Sequence, residues 1–135
     1  MRKIKFRAWS KQHKTMFDIS YLRYNGDQTL REVGHALGST RNVIHVANNY
    51  ILMQWTGLKD KNGTEIYEGD IVRGKYGKNG IVKNYEIRWL IGHFAAVDRN
   101  NITGDEHYYP IGLLEGEVIG NIYEHPHLLK EVKND

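Results

Sequence analysis

Cysteine is absent from the 135 residues. That removes any disulfide framework, thiolate metal site or cysteine nucleophile, and it suits a reducing compartment. No stretch approaches the roughly 18 uninterrupted apolar residues of a membrane span. The opening Met1-Arg2-Lys3-Ile4-Lys5-Phe6-Arg7 is charged throughout, with no apolar segment behind it, so no secretory signal is read there. Serine is confined to Ser10, Ser20 and Ser39, none of them in a Gly-x-Ser-x-Gly elbow, which leaves nucleophilic acyl transfer without a motif. Internal repeats, low-complexity tracts and an obvious linker are also missing. The expectation is a protein of the cytoplasm that does not enter a membrane.

What is present favours strands. Fourteen glycines and nine tyrosines within a 40% hydrophobic composition speak for tight turns and pleated surfaces, and against a helical bundle. The net charge of +3 is small but uneven. Residues 1–58 hold nine Lys+Arg against three Asp+Glu, and the remainder holds ten against thirteen. A basic half followed by a mildly acidic one can serve a nucleic-acid face or head-to-tail self-association.

The chain is organised around Leu52 to Val72. Two apolar runs there flank Asp60-Lys61-Asn62-Gly63, and Asn-Gly between such runs signals a β-hairpin. Asn62 and Gly63, with Gly69 and Asp70 on the return run, are read as structural turn residues. Ahead of this hairpin, Arg2 to Trp9 alternates as a half-buried strand, with Ile4, Phe6 and Ala8 on one face and Lys3, Lys5, Arg7 and Trp9 on the other. Met16 to Leu22 folds back on it. Asp27 then caps a predicted helix, Gln28 to Leu37, which would bury Leu30, Val33 and Leu37. Val43 to Trp55 returns to strand composition, with a turn at Asn48-Asn49. Beyond the hairpin, Arg73 to Gly80 reads as a connection, Ile81 to Ile91, Phe94 to Val97 and Glu117 to Glu124 as strands, and His125-Pro126 as the start of a last helix. The predicted architecture is α+β, mainly β: an N-terminal β-hairpin and helix half, residues 1–57, packed on a C-terminal SH3-like β-barrel, residues 58–135, with a short terminal helix.

The blocks Ile4-Lys5-Phe6-Arg7-Ala8-Trp9, Met53 to Gly63, Ile66-Tyr67-Glu68-Gly69-Asp70-Ile71-Val72 and Glu117 to Pro126 together resemble the YopX family of phage and prophage proteins. They frame nearly the whole chain. The resemblance implies a phage-encoded protein acting in the bacterial host cytoplasm, a later SH3-like domain and homo-oligomers. It brings no catalytic residues, no cofactor and no assigned activity.

Candidate chemistry is sparse. Glu65, Glu68 and Asp70 could act as paired carboxylates or hold a divalent ion, but turn chemistry accounts for the same residue types. His125 and His127, two apart around Pro126, would diverge on a helix, and a zinc site needs three or four ligands. Gly74 to Gly80 lacks the Gly-Lys-Ser/Thr ending and the following helix of a phosphate loop. The remaining candidate is a nucleic-acid face made of Lys3, Lys5, Arg7 and Trp9 with Arg73, Lys75, Tyr76 and Lys78: cations for phosphates, rings for bases. The competing reading makes those lysines protection against edge-to-edge pairing. The function expected on balance is that of a nonenzymatic accessory protein without cofactors or catalytic residues. It would work as a homo-oligomer on an unknown phage or host protein, with nucleic-acid binding as the alternative and a metal-dependent hydrolase a distant third.

Overall fold

The computed structural model describes residues 1–37, 40–45, 50–100 and 102–130, with side chains described outside 35–37 and 40–45. The chain forms two compact units, Met1–Gln54 and Trp55–Asp135.

In the first unit, β1 (Phe6–Ser10) pairs antiparallel with β2 (Thr15–Ile19) on one side and, on the other, with the start of β6 (Tyr50–Lys59), the strand that runs on into the second unit. A separate antiparallel meander consists of β3 (Tyr21–Tyr24), β4 (Leu30–Leu37) and β5 (Thr40–His45). The segment read as a helix, Gln28 to Leu37, is therefore a turn followed by strand β4, and there is no N-terminal helix half: the fold is nearly all β rather than α+β. Two physical causes override the helical spacing. Asp27 caps a hairpin turn, its Oδ1 accepting from the Thr29 backbone N–H at 3.0 Å and from the Thr29 hydroxyl at 2.6 Å. Gly34, costly in a helix, lies opposite Tyr21, whose ring occupies the space a Cβ would need. The expected turn at Asn48-Asn49 lies outside the described residues.

In the second unit, β6 ends against β7 (Glu65–Tyr67), with a register shift between Trp55 and Lys59 where Gly57 has φ +87°. A five-stranded antiparallel sheet follows, in the order β11-β10-β9-β8-β12. Its strands are β8 (Asp70–Tyr76), β9 (Lys83–Leu90), β10 (His93–Arg99), β11 (Glu106–Tyr109) and β12 (Leu114–Asn121). A 3-10 turn at Ile111–Leu113 leads into β12, and the short α1 (His127–Lys130) closes the described chain. One face of the sheet carries the core, in which Val72, Tyr85, Ile87 and Ala96 meet Ile66 and Ile111.

Two corners fasten this sheet. In the first, Asp60 Oδ1 accepts the backbone N–H groups of Asn62 at 2.8 Å and Thr64 at 2.9 Å. Its Oδ2 accepts that of Val118 at 2.8 Å, and Asn62 Nδ2 donates to Glu117 Oε2 at 3.0 Å. Gly63 takes positive φ, +85°, and Asn62 does not, so the carboxylate rather than an Asn-Gly dipeptide organises the turn. In the second corner, the buried Asn121 accepts at Oδ1 from the backbone N–H of Tyr123 at 3.1 Å and of Glu124 at 2.8 Å. His125 Nδ1 accepts from the Asn121 N–H at 3.2 Å, and its ring lies where a Cβ on Gly120 would stand. The Glu117 to Pro126 block is thus a bulged strand end and a turn stapled by Asn121.

Candidate functional site

Of the residues read from sequence as turn residues, Asn62, Gly63 and Gly69 lie in turns and Asp70 opens β8. Gly69, at φ +83°, donates its N–H to the Ile87 carbonyl and accepts from the Ile122 N–H, both at 2.8 Å. Asp70 is 2% exposed and accepts the Tyr67 N–H at 2.8 Å, so this carboxylate is spent on the turn. Among the described residues no group of three or more His, Asp or Glu side chains converges on a metal position.

The proposed nucleic-acid residues fare unevenly. Lys3 is exposed, and Lys5 and Arg7 are half-buried. Trp9 was expected beside them, but at 7% exposure it offers no face for stacking, because β1 is covered on both sides: Ala8 is 1% exposed as well. In the second unit Arg73 and Lys75 lie in register with Glu117 and Glu115 on β12, and Arg73 Nη1 donates to Asn84 Oδ1 at 3.2 Å. Tyr76 is held by its hydroxyl, which donates to the Pro110 carbonyl at 2.9 Å, and by Tyr85 and Tyr109 at 5.5 and 5.1 Å between ring centroids. Burial, with the neighbouring tyrosines, pushes its phenol well above the ordinary value. Lys78 stands exposed on the loop after β8.

The chemistry left open lies at the β9–β10 hairpin. Leu90 pairs with His93, so the loop has two residues, Ile91 at φ +51° and Gly92 at φ +81°. Two consecutive positive φ values match the right-handed twist of a hairpin, and glycine or asparagine normally supplies them. A β-branched side chain in the left-handed region is a steric outlier. Ile91 is also 85% exposed, beside a Trp89 that is 54% exposed and packs edge-to-face on Phe94 at 4.8 Å. Replacing Ile91 with asparagine is therefore expected to raise the stability of the second unit by about 1 kcal/mol. Urea denaturation checks this, and a lower midpoint would refute the strain.

A family model for YopX protein matches residues 5–130. The chain belongs to the YopX family. Among solved structures it is similar to protein EF1440 from Enterococcus faecalis, at 27% identity and a TM-score of 0.65, covering 96% of this chain and 99% of that one. It is also similar in fold to protein yopX from Bacillus subtilis, at 20% identity and a TM-score of 0.65 with the same coverage. A comparison with curated proteins finds no match. The YopX-family chain has, among its described residues, no helix long and apolar enough to cross a membrane.

Sequence reasoning placed Trp89 within a strand and missed its setting. Ile91 and Phe94 read as strand residues, and nothing in the local pattern announces an isoleucine at positive φ.

Proposed function

We propose that this YopX-family protein is a nonenzymatic accessory protein of phage or prophage origin, acting in the host cytoplasm by associating with copies of itself through the β9–β10 tip. The observation that supports this reading is the exposed Trp89 and Ile91 on the strained loop, with Phe94 behind the indole. A rigid aromatic with an apolar neighbour is the side-chain type that anchors interfaces, and a strained backbone held at a surface is the kind of cost that function maintains. Nucleic-acid binding draws less support, since two of its rings, Trp9 and Tyr76, are engaged inside the fold.

The test is the solution mass by light scattering at 0.1 M and 0.5 M salt, with absorbance at 260 and 280 nm on the same peak. A discrete oligomer indifferent to salt is expected, because apolar contacts are not screened. Trp89→Ala is expected to move it toward the monomer. A wild-type monomer throughout, or an oligomer that Trp89→Ala leaves intact, overturns the reading.

A further inference from the structure

The opposite face of the same sheet carries a second feature, a cavity of about 190 Å³ roofed in part by residues from Ile122 to Lys130. Alternate residues of β9, namely Asn84, Glu86 and Arg88, project toward it, joined by Val97 and Arg99 of β10, where Val97 is in register with Glu86. Ile122, Pro126, Leu129 and Lys130 form the other wall. That wall is fixed at both ends: the Asn121 corner sets its start, and Asn84 Nδ2 donates to the Leu128 carbonyl at 2.8 Å. The space is therefore built by hydrogen bonds.

Its charges do not cancel. Glu86 gives both oxygens to Arg88, Oε2 to Nε at 2.9 Å and Oε1 to Nη2 at 3.0 Å, and Glu106 Oε2 meets the same Nη2 at 2.7 Å. This pairing with Arg88 holds the Glu106 carboxyl below its ordinary value. Both acids share this one guanidinium, whose Nη1 has no acceptor among the described residues. Arg99 and Lys130 are exposed at the rim and make no close ion pair among the described residues, although Arg99 lies cross-strand from Glu106 and its charge also helps to hold that carboxyl down. Arg88, Arg99 and Lys130 thus stand against Glu86 and Glu106, a balance of one positive charge, beside an apolar lining of Val97, Ile122, Pro126 and Leu129.

We propose that this cavity is a binding site for a small organic anion, a carboxylate carried on a compact ring or branched apolar body. A cavity of about 150 Å³ suffices for benzene, so the space admits one ring with its carboxylate. The apolar body would lie against Val97, Ile122 and Leu129, and the carboxylate would accept from Arg99 and Lys130 at the rim, with Arg88 Nη1 as a further donor.

Benzoate is the probe, titrated into the full chain and followed by the methyl signals of Val97, Ile122 and Leu129 in carbon–proton correlation spectra. Saturable shifts confined to those methyls are expected. The double variant Arg99→Gln/Lys130→Gln, altered only at exposed side chains, is expected to bind about tenfold more weakly, as loss of a charge-assisted contact predicts. Benzyl alcohol, which keeps the ring and drops the charge, is expected to bind more weakly than benzoate, and inorganic phosphate, which keeps charge and drops the ring, is expected to leave the methyls unmoved. Absence of saturable shifts, equal binding of benzyl alcohol, or unchanged binding by the double variant would overturn the proposal.

Discussion

Gly116→Val is expected to unfold the second unit or to destabilise it by roughly 3 kcal/mol or more, at the upper end of overpacking costs. Gly116 and Gly74 stand directly opposite each other on β12 and β8. A Cβ on Gly116 would lie 2.6 Å from the Arg73 carbonyl oxygen, 2.9 Å from Val72 Cγ1 and 3.0 Å from Gly74 Cα. One on Gly74 would strike the Glu115 carbonyl oxygen and lie 2.6 Å from Gly116 Cα. In a flat ladder a Cβ stands off the sheet and does not strike the facing backbone, so these distances mark a sharp coil of the two strands around each other. Neither glycine has positive φ, which makes the requirement one of space. Gly112→Ala, with nothing within 4 Å of the added atom, serves as the control and should stay within about 0.5 kcal/mol of the parent. Denaturant midpoints for the three proteins decide it; a Gly116→Val chain with the parental midpoint would mean that β8 and β12 separate without cost.

Asp60→Ala should cost about 3 kcal/mol, because one carboxylate satisfies the backbone donors of Asn62, Thr64 and Val118. Its titration gives the prediction a sign. Partial burial pushes the carboxyl up, but the N–H groups of Val118, Thr64 and Asn62, with Lys61 nearby, outweigh it and hold the folded value below the ordinary 3.8. A carboxylate with a depressed folded value binds its proton more readily in the unfolded chain, so its contribution is complete above pH 3.8 and fades as pH falls through the lower, folded value. The stability gap between parent and Asp60→Ala is therefore expected to be constant from neutral pH down to about pH 5 and to narrow below pH 4. A gap that widened on acidification would show that Asp60 is not bound to these donors as an anion.

Much of the second unit was legible because alternation there coincides with burial. Tyr85 and Ile87 in β9 are buried while Asn84, Glu86 and Arg88 between them are not, and the Asp60 to Gly63 corner lies between runs that do pair. The first unit was less legible. Leu30, Val33 and Leu37 recur at helical spacing, and the facts that decide for a strand, the Tyr21 ring over Gly34 and the hairpin turn at Asp27, require knowing which strand lies alongside. Trp9 was misjudged for a related reason. Alternation assigns two faces but does not reveal that both are covered. The anion cavity draws on residues from Asn84 to Lys130, and no local motif could assemble them before the Asn121 corner and the Asn84 bond to Leu128 were known.

The staple between Asp60 and the Val118 N–H spans 58 positions of sequence, and β12 completes the sheet only by returning to β8 after three intervening strands. Contacts of that reach are made only after the loops between them have closed, which places the folding of this unit in the millisecond-to-second range of non-local β topologies. Until β12 docks, β8 presents an unpaired edge with the apolar Ile71 and Val72 at its start. During synthesis that edge is open for as long as the ribosome takes to deliver β12.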